Sequence, residues 1–209
     1  MRIAIVGTGK VGSALAHGLK GKGHQVTLGA RDPDRAAKLA AETGGRTLRP
    51  ELAAADAETV ILALPWATAE ASVKALGDLS GKIVIDCMNP LGMIEGKLRL
   101  TVGHHRSGAE MVAAWAPGAR VVKTLNQVGA ELMADNTGLP HRPVMFMAGD
   151  DAAAKAAVAS LLTDLGFEAL DAGELEMARI LEPHAMVWIN QALLRGKGRN
   201  WAFAAVQTV

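Results

Sequence analysis

Three glycines near the start of the chain are spaced for phosphate chemistry. The segment Gly7-Thr8-Gly9-Lys10-Val11-Gly12 follows the apolar run Arg2-Ile3-Ala4-Ile5-Val6 and opens a helix-like pattern from Lys10 to Lys22. In that strand–turn–helix order Gly7 permits the tight turn, Gly9 lets backbone approach a pyrophosphate, and Gly12 lets helix and strand pack closely. Free amides at the helix N-terminus then face the phosphates, aided by the helix dipole. The next strand, Gln25-Val26-Thr27-Leu28-Gly29, ends in Ala30-Arg31, without the Asp or Glu that commonly binds adenosine ribose hydroxyls there. A guanidinium at that place binds a 2′-phosphate through paired, charge-assisted hydrogen bonds. Arg35, one helical turn on, adds a second positive group. The expected cofactor is therefore NADP(H), held by Gly7, Thr8, Gly9, Lys10, Val11, Gly12, Arg31 and Arg35.

In a doubly wound sheet, ligands lie beyond the carboxyl ends of the strands. Trp66, Asn89 and Asn126 each follow an apolar strand and are candidates for a pocket around the nicotinamide and its acceptor. Each has a plainer reading: Trp66 as a packing aromatic, Asn89-Pro90 as a turn, and Asn126 as a helix cap. Lys123 falls in an apparent strand and reads as a surface or edge lysine. His104-His105-Arg106 reads as a solvated loop, because adjacent histidines without Cys or carboxylate neighbours have poor metal-ligand spacing. No metal site is expected. Cys87 reads as a small buried group, and Asp86 as either a loop cap or a ribose contact. His184, on an apolar helix, reads as a satisfied core residue or a cleft residue.

These residues need an alternation of strands and helices to position them, and the chain supplies one. The expected fold is α/β, a Rossmann-type doubly wound, mostly parallel sheet with a helical C-terminal extension. Asp32-Pro33 caps a helix running to Glu42, Arg46–Leu48 is a short edge strand, and a helical turn covers Pro50–Asp56. The buried strand Thr59–Leu64 ends at Pro65, and a helix spans Ala67–Leu76. Strand Lys82–Asp86 precedes a loop from Asn89 to Gly103. Ser107-Gly108-Ala109-Glu110 has the spacing of a capping box and opens a helix to Trp115. Strands follow at Arg120–Thr124, Arg142–Ala148 and Phe167–Leu170. Gly149-Asp150 caps the helix between the last two, and everything from Glu174 is helical, kinked near Pro183. Residues 1–126 form the NADP-binding unit, and 127–209 an extension packed on it.

The chain has 209 residues, half of them hydrophobic, with net charge +1. No basic stripe points to nucleic acid and no apolar run approaches a membrane span. The first residues enter a core strand directly, leaving no signal peptide, so a cytoplasmic protein is expected. Tyrosine is absent. That excludes reductases whose proton donor is a tyrosine phenol. The C-terminal segment, with Trp188, Leu193, Leu194, Trp201 and Phe203, suggests either a homodimer interface or packing on the chain's own sheet.

The chain resembles the NADPH-dependent coenzyme F420 reductases and their bacterial relatives over nearly its whole length. The resemblance rests on Gly7–Gly12, Gly29-Ala30-Arg31, Leu64-Pro65-Trp66, Asp171-Ala172-Gly173 and Arg179-Ile180-Leu181-Glu182. It implies hydride transfer between NADPH and a deazaflavin on a Rossmann domain. It also implies a phosphate-side hydroxyl at Thr8, a 2′-phosphate arginine at Arg31, and Leu64-Pro65-Trp66 against the cofactor. The cytosolic domain of transmembrane ferric reductases is similar and passes hydride to a flavin. Ala30 stands where the family often has Ser, and Val122–Gln127 is closer to the bacterial relatives. The leading expectation is an NADP-dependent oxidoreductase whose acceptor is a small-molecule deazaflavin (coenzyme F420) or flavin-like ring. Two alternatives stand beside it: reduction of a small carbonyl or imine, with His184 as proton donor, and a non-catalytic NADP(H)-sensing module.

Overall fold

The computed structural model describes residues 1–206. Its ten strands are β1 (Arg2–Val6), β2 (Gln25–Gly29), β3 (Arg46–Leu48), β4 (Thr59–Leu62), β5 (Ile83–Asp86), β6 (Leu91–Ile94), β7 (Lys97–Leu100), β8 (Arg120–Lys123), β9 (Val144–Gly149) and β10 (Glu168–Asp171). The helices are α1 (Lys10–Gly18), α2 (Pro33–Thr43), α3 (Pro50–Asp56), α4 (Ala69–Lys74), α5 (Gly108–Trp115), α6 (Ala130–Ala134), α7 (Ala152–Asp164) and α8 (Ala178–Ile189). Eight strands form one sheet in the order β10-β9-β8-β5-β4-β1-β2-β3. All neighbours pair in parallel except β8 and β9. From β3 to β8 this is the strand order of a dinucleotide-binding sheet, with β9 and β10 added at the far edge.

Side chains alternate across each strand, so the sheet carries two apolar layers. Ile3, Ile5, Leu28, Ile61, Ile85 and Val122 face α1, α2, α6 and α7. Ala4, Val6, Val60, Leu62, Val84 and Val121 face α3, α4 and α5. Caps fix the helix starts. The Arg35 amide donates to Asp32 Oδ1 (3.1 Å) at α2, and Ser107 with Glu110 forms the expected capping box at α5.

Several boundaries differ from expectation. Helix α1 stops at Gly18, and Gly21 and Gly23, both at positive φ, carry the chain through a turn. Strand β4 ends at Leu62, where the chain leaves the sheet toward Pro65. The segment read as a loop between Asn89 and Gly103 contains the β6–β7 hairpin. Its two turn residues, Glu95 and Gly96, both have positive φ, as the right-handed strand twist demands. Asp151, rather than Gly149-Asp150, caps α7, while Asp150 accepts the Leu175 amide (2.8 Å). The C-terminal segment is not helical throughout. α8 contains Pro183 and continues as one wide turn, Asn190–Leu194, and residues 201–206 have no regular structure. Trp188 is buried against Trp201, whose carbonyl accepts the Trp188 indole N–H (2.8 Å), and Trp201 packs edge-on to Phe203. The aromatic residues of this segment therefore close onto their own chain.

Candidate functional site

Beyond the carboxyl ends of β1, β2, β4 and β5 lies a cleft of about 890 Å³, a size that suits a small-molecule ligand. Gly7, Thr8, Gly9, Lys10, Val11, Arg31, Arg35, Leu64 and Pro65 line it, as do Cys87 and Met88 at the end of β5. The glycines divide their work as expected. Gly7 sits at φ 103°, and a Cβ there would lie 2.4 Å from the Ala63 carbonyl oxygen. A Cβ on Gly12 would lie 1.8 Å from the Gly7 oxygen, so Gly12 serves packing and does not itself line the cleft. Around a Cβ on Gly9 there is nothing within 4 Å. Gly9 keeps that space open for a ligand, and as the N-cap of α1 it offers no side chain to the first amides. Arg31 and Arg35 are exposed, and no hydrogen bond or ion pair engages either guanidinium among the described residues. Asp32 between them is occupied as the α2 cap. The glycine loop, the open amides and the two arginines fit an NADP pyrophosphate and 2′-phosphate.

Trp66, Asn89 and Asn126 do not line this cleft. Trp66 packs on Trp115, ring centroids 5.5 Å apart, and its ring lies against Gly108, where a Cβ would come within 3.1 Å of it. That is the packing reading. Asn89 and Asn126 hold one another: Asn89 Nδ2 donates to the Asn126 carbonyl (2.9 Å) and Asn126 Nδ2 donates to Asn89 Oδ1 (3.0 Å). Asn126 Nδ2 also donates to the Leu181 carbonyl (3.2 Å), and its Oδ1 accepts from Gln127 (2.9 Å). Both amide hydrogens of Asn126 are therefore engaged inside the protein.

Lys123 corrects the reading of an edge or surface lysine. β8 is an interior strand, and the Lys123 side chain is 0% exposed. Its ammonium pairs with Asp86 Oδ2 and Glu182 Oε1, each at 3.0 Å, and donates to the Met88 carbonyl. Asp86 Oδ1 accepts the Met88 amide (2.9 Å). Glu182 accepts the first two amides of α5, Gly108 (2.9 Å) and Ala109 (3.2 Å). Burial alone would push the lysine down, but Asp86 and Glu182 outweigh it and hold it above its ordinary value. Asp86 thus faces this cluster rather than a ribose. The sequence held a signal for it: a lysine ending one apolar strand, an aspartate ending another, and a glutamate between Leu181 and Ala185 on an apolar helix.

The remaining candidates sort simply. Burial, then Asp86, raises the Cys87 thiol, which leaves it a buried neutral wall of the cleft. His184 lies between Phe146 and Phe203, its Nε2 buried without a partner, and burial lowers its pKa. It is not among the cleft residues. His104, His105 and Arg106 are exposed. Arg179 grips Glu110 through two guanidinium nitrogens, holding that carboxyl down at about 2.

The sheet order and the cleft define a dinucleotide-binding α/β protein, and comparison with known proteins narrows the class. The family model described as NADP oxidoreductase, coenzyme F420-dependent, matches residues 2–90. The F420-dependent NADP reductase of Methanothermobacter marburgensis is 30% identical over 206 residues, covering 91% of this chain and 92% of that protein. The chain belongs to the family of F420-dependent NADP oxidoreductases. A crystal structure of a proposed F420-dependent NADP reductase from Arthrobacter sp. FB24 superposes with a TM-score of 0.89 at 36% identity, over 99% of this chain and 100% of that one. The rat metalloreductase STEAP3 is 33% identical over 182 residues, which are 87% of this chain; the chain spans 36% of that protein's length.

Proposed function

We propose that this chain transfers a hydride between NADP(H) and the deazaflavin coenzyme F420, or a flavin-like ring of the same shape. One observation carries the reading. A single cleft runs from two unpartnered arginines, past an uncapped helix N-terminus, to the ends of β4 and β5. Full-length similarity to F420-dependent NADP reductases supports the deazaflavin in particular.

In this reading Arg31 grips the 2′-phosphate and Arg35 adds a second positive charge that attracts it. The first amides of α1, with the Thr8 hydroxyl and Lys10, hold the pyrophosphate. Leu64 and Pro65 pack against the ribose, and Cys87 and Met88 wall the nicotinamide end. Bound NADPH supplies the hydride. Transfer between stacked rings needs close placement more than a side-chain acid or base, so an end walled by the neutral Cys87 thiol and Met88, with no histidine or carboxylate beside them in the lining, suits it. The same lack weighs against a carbonyl or imine reductase, and His184 is no substitute in its aromatic pocket. Of the strand-end candidates, Asn89 keeps one amide hydrogen free and is assigned to the acceptor side; Asn126 holds it there, and Trp66 supports α4 and α5 from behind.

Residues 1–126 are taken as the NADP-binding unit, and 127–209 as the extension that completes the sheet. Ile180, Val187 and Leu194 are exposed at seven-residue spacing along α8 and its continuation, and on this stripe we place a homodimer contact; light scattering that returns a monomer at micromolar concentration would remove it. Among the described residues no helix is long and apolar enough to cross a membrane; the location we assign is cytoplasmic. The deciding experiment is NADPH oxidation against coenzyme F420, flavins, ferric chelates, ketones and imines. Turnover is expected on F420 and to be much weaker with NADH. An enzyme that binds NADPH yet reduces no redox ring sinks the assignment.

A further inference from the structure

We propose that the buried cluster Asp86–Lys123–Glu182 acts electrostatically on the nicotinamide end of the cleft, favouring the oxidised, cationic ring over the reduced, neutral one. The proposal rests on the NADP(H) reading above. It assigns a task to three residues that touch neither cofactor nor acceptor.

The charge count comes from the hydrogen bonds. Asp86 Oδ1 accepts the Met88 amide and Oδ2 the Lys123 ammonium. Glu182 Oε1 accepts Lys123 and the Ala109 amide, and Oε2 accepts the Gly108 amide. Every carboxylate oxygen meets a donor and none faces another acceptor, as two ionised carboxylates require. One ammonium against two carboxylates leaves one negative charge in excess. The N-terminus of α5 offsets part of it.

The position comes from Met88. Its amide is held by Asp86 and its carbonyl by Lys123, while Met88 itself lines the cleft beside Cys87. The cluster therefore lies directly behind the wall, separated from the cleft by one stretch of backbone. All three side chains are at most 1% exposed, so water screens the excess charge little. Stability alone does not call for a charge triad here, since apolar groups of similar volume commonly serve a core as well as or better than one.

The reaction supplies a reason. A hydride leaving C4 of the dihydronicotinamide takes two electrons and one proton to the acceptor. The ring left behind carries a positive charge, and the second proton that the acceptor ring gains comes from solvent. A fixed negative charge behind the ring stabilises that product, and the electrostatic stabilisation is already in place before transfer. The bound couple becomes a stronger donor than the free one.

The test is binding, independent of turnover. NADPH and NADP⁺ are titrated calorimetrically into the wild type, Glu182→Gln and Asp86→Asn, with circular dichroism to confirm folding. At an effective dielectric near 20, a unit charge about 10 Å from another changes an equilibrium by about tenfold. Either substitution should therefore shift the affinity ratio toward NADPH by about three- to tenfold, chiefly through weaker NADP⁺ binding. A folded variant with an unchanged ratio, or a parallel loss of both ligands, overturns the proposal. The wild type gives a check that needs no variant: it should bind NADP⁺ at least as tightly as NADPH, and a tenfold preference for NADPH overturns the proposal too. A wild type that binds neither nucleotide removes the NADP(H) reading itself and this proposal with it.

Discussion

Arg31 and Lys123 are both cations at the carboxyl edge of the same sheet, and they live in opposite conditions. Arg31 stands in solvent with no protein partner among the described residues, and so does its neighbour Arg35. Lys123 is fully buried, and two carboxylates and a carbonyl take up its three hydrogens. A solvated guanidinium loses little by waiting and gains most when a dianionic phosphate arrives. A buried ammonium has no such freedom: its partners are part of the fold, and removing it strands two charges. The rim of the cleft is free to bind, and its back wall is built to hold.

That contrast makes its strongest statement in stability. Lys123→Met should lower the unfolding free energy by about 3–5 kcal/mol, because Asp86 and Glu182 would remain buried and unpaired. Arg31→Ala should change it by less than about 0.5 kcal/mol. Urea denaturation of both variants checks the pair. Similar losses would mean that the two cations do the same structural job.

Ligand affinity should invert the order. Arg31→Ala should weaken NADPH by about 10- to 100-fold, the loss of charge-assisted hydrogen bonds worth about 1.5–3 kcal/mol, and leave NADH within about twofold. Fluorescence titration with both cofactors measures it. An equal loss for the two would take the 2′-phosphate away from Arg31.

The same contrast explains what could be read from the chain and what could not. The glycine loop, the Arg31 position, the capping box at Ser107 and the apolar run of β1 are local, and each was legible within a few residues. The hairpin β6–β7 was hidden because its turn is Glu95-Gly96 rather than the Asn-Gly or Asp-Gly pair that announces such turns. The environment of Lys123 was hidden for another reason: Asp86 lies 37 residues away in sequence and Glu182 comes from α8. Only the strand order, which sets β5 beside β8, brings them together. Asn89 and Asn126 were legible as strand-end residues, but the hydrogen bonds by which each holds the other were not. Residue type and position sufficed for groups that face solvent; groups that satisfy one another need the tertiary structure.

Between the extremes stands the Glu110–Arg179 pair, partly exposed at the start of α5. Arg179 first, against burial, and then Ser107 hold the Glu110 carboxyl down at about 2, from an ordinary value of 4.5. A depressed carboxylate contributes stability that is complete above its unfolded value and is lost as pH falls through the folded one. The window is therefore about pH 4.5 down to 2. Solvent around the pair reduces its worth to about 1–2 kcal/mol. Glu110→Gln should lower stability by that amount at pH 7 and flatten the acid limb of the profile within that window, as denaturant titrations at stepped pH would record. A limb of unchanged slope would show that the pair is as idle as an ordinary surface contact.

The smallest effect belongs to Arg35. It lies one helical turn beyond Arg31 on α2, where its own amide is committed to the Asp32 cap, so only its guanidinium can meet a ligand, and from a more distant position. An exposed cation acting at that range contributes through Coulomb attraction that salt screens, about 0.5–1 kcal/mol. Arg35→Ala should weaken NADPH by about two- to fivefold at low ionic strength, and the difference from wild type should close near 0.5 M salt. Arg31→Ala should keep most of its deficit there, because direct hydrogen bonds survive screening. Titrations of both variants across a salt series separate a residue that grips the phosphate from one that only attracts it. If the Arg35 deficit persists at high salt, Arg35 is a second ligand of the 2′-phosphate and the rim of the cleft holds it from two sides.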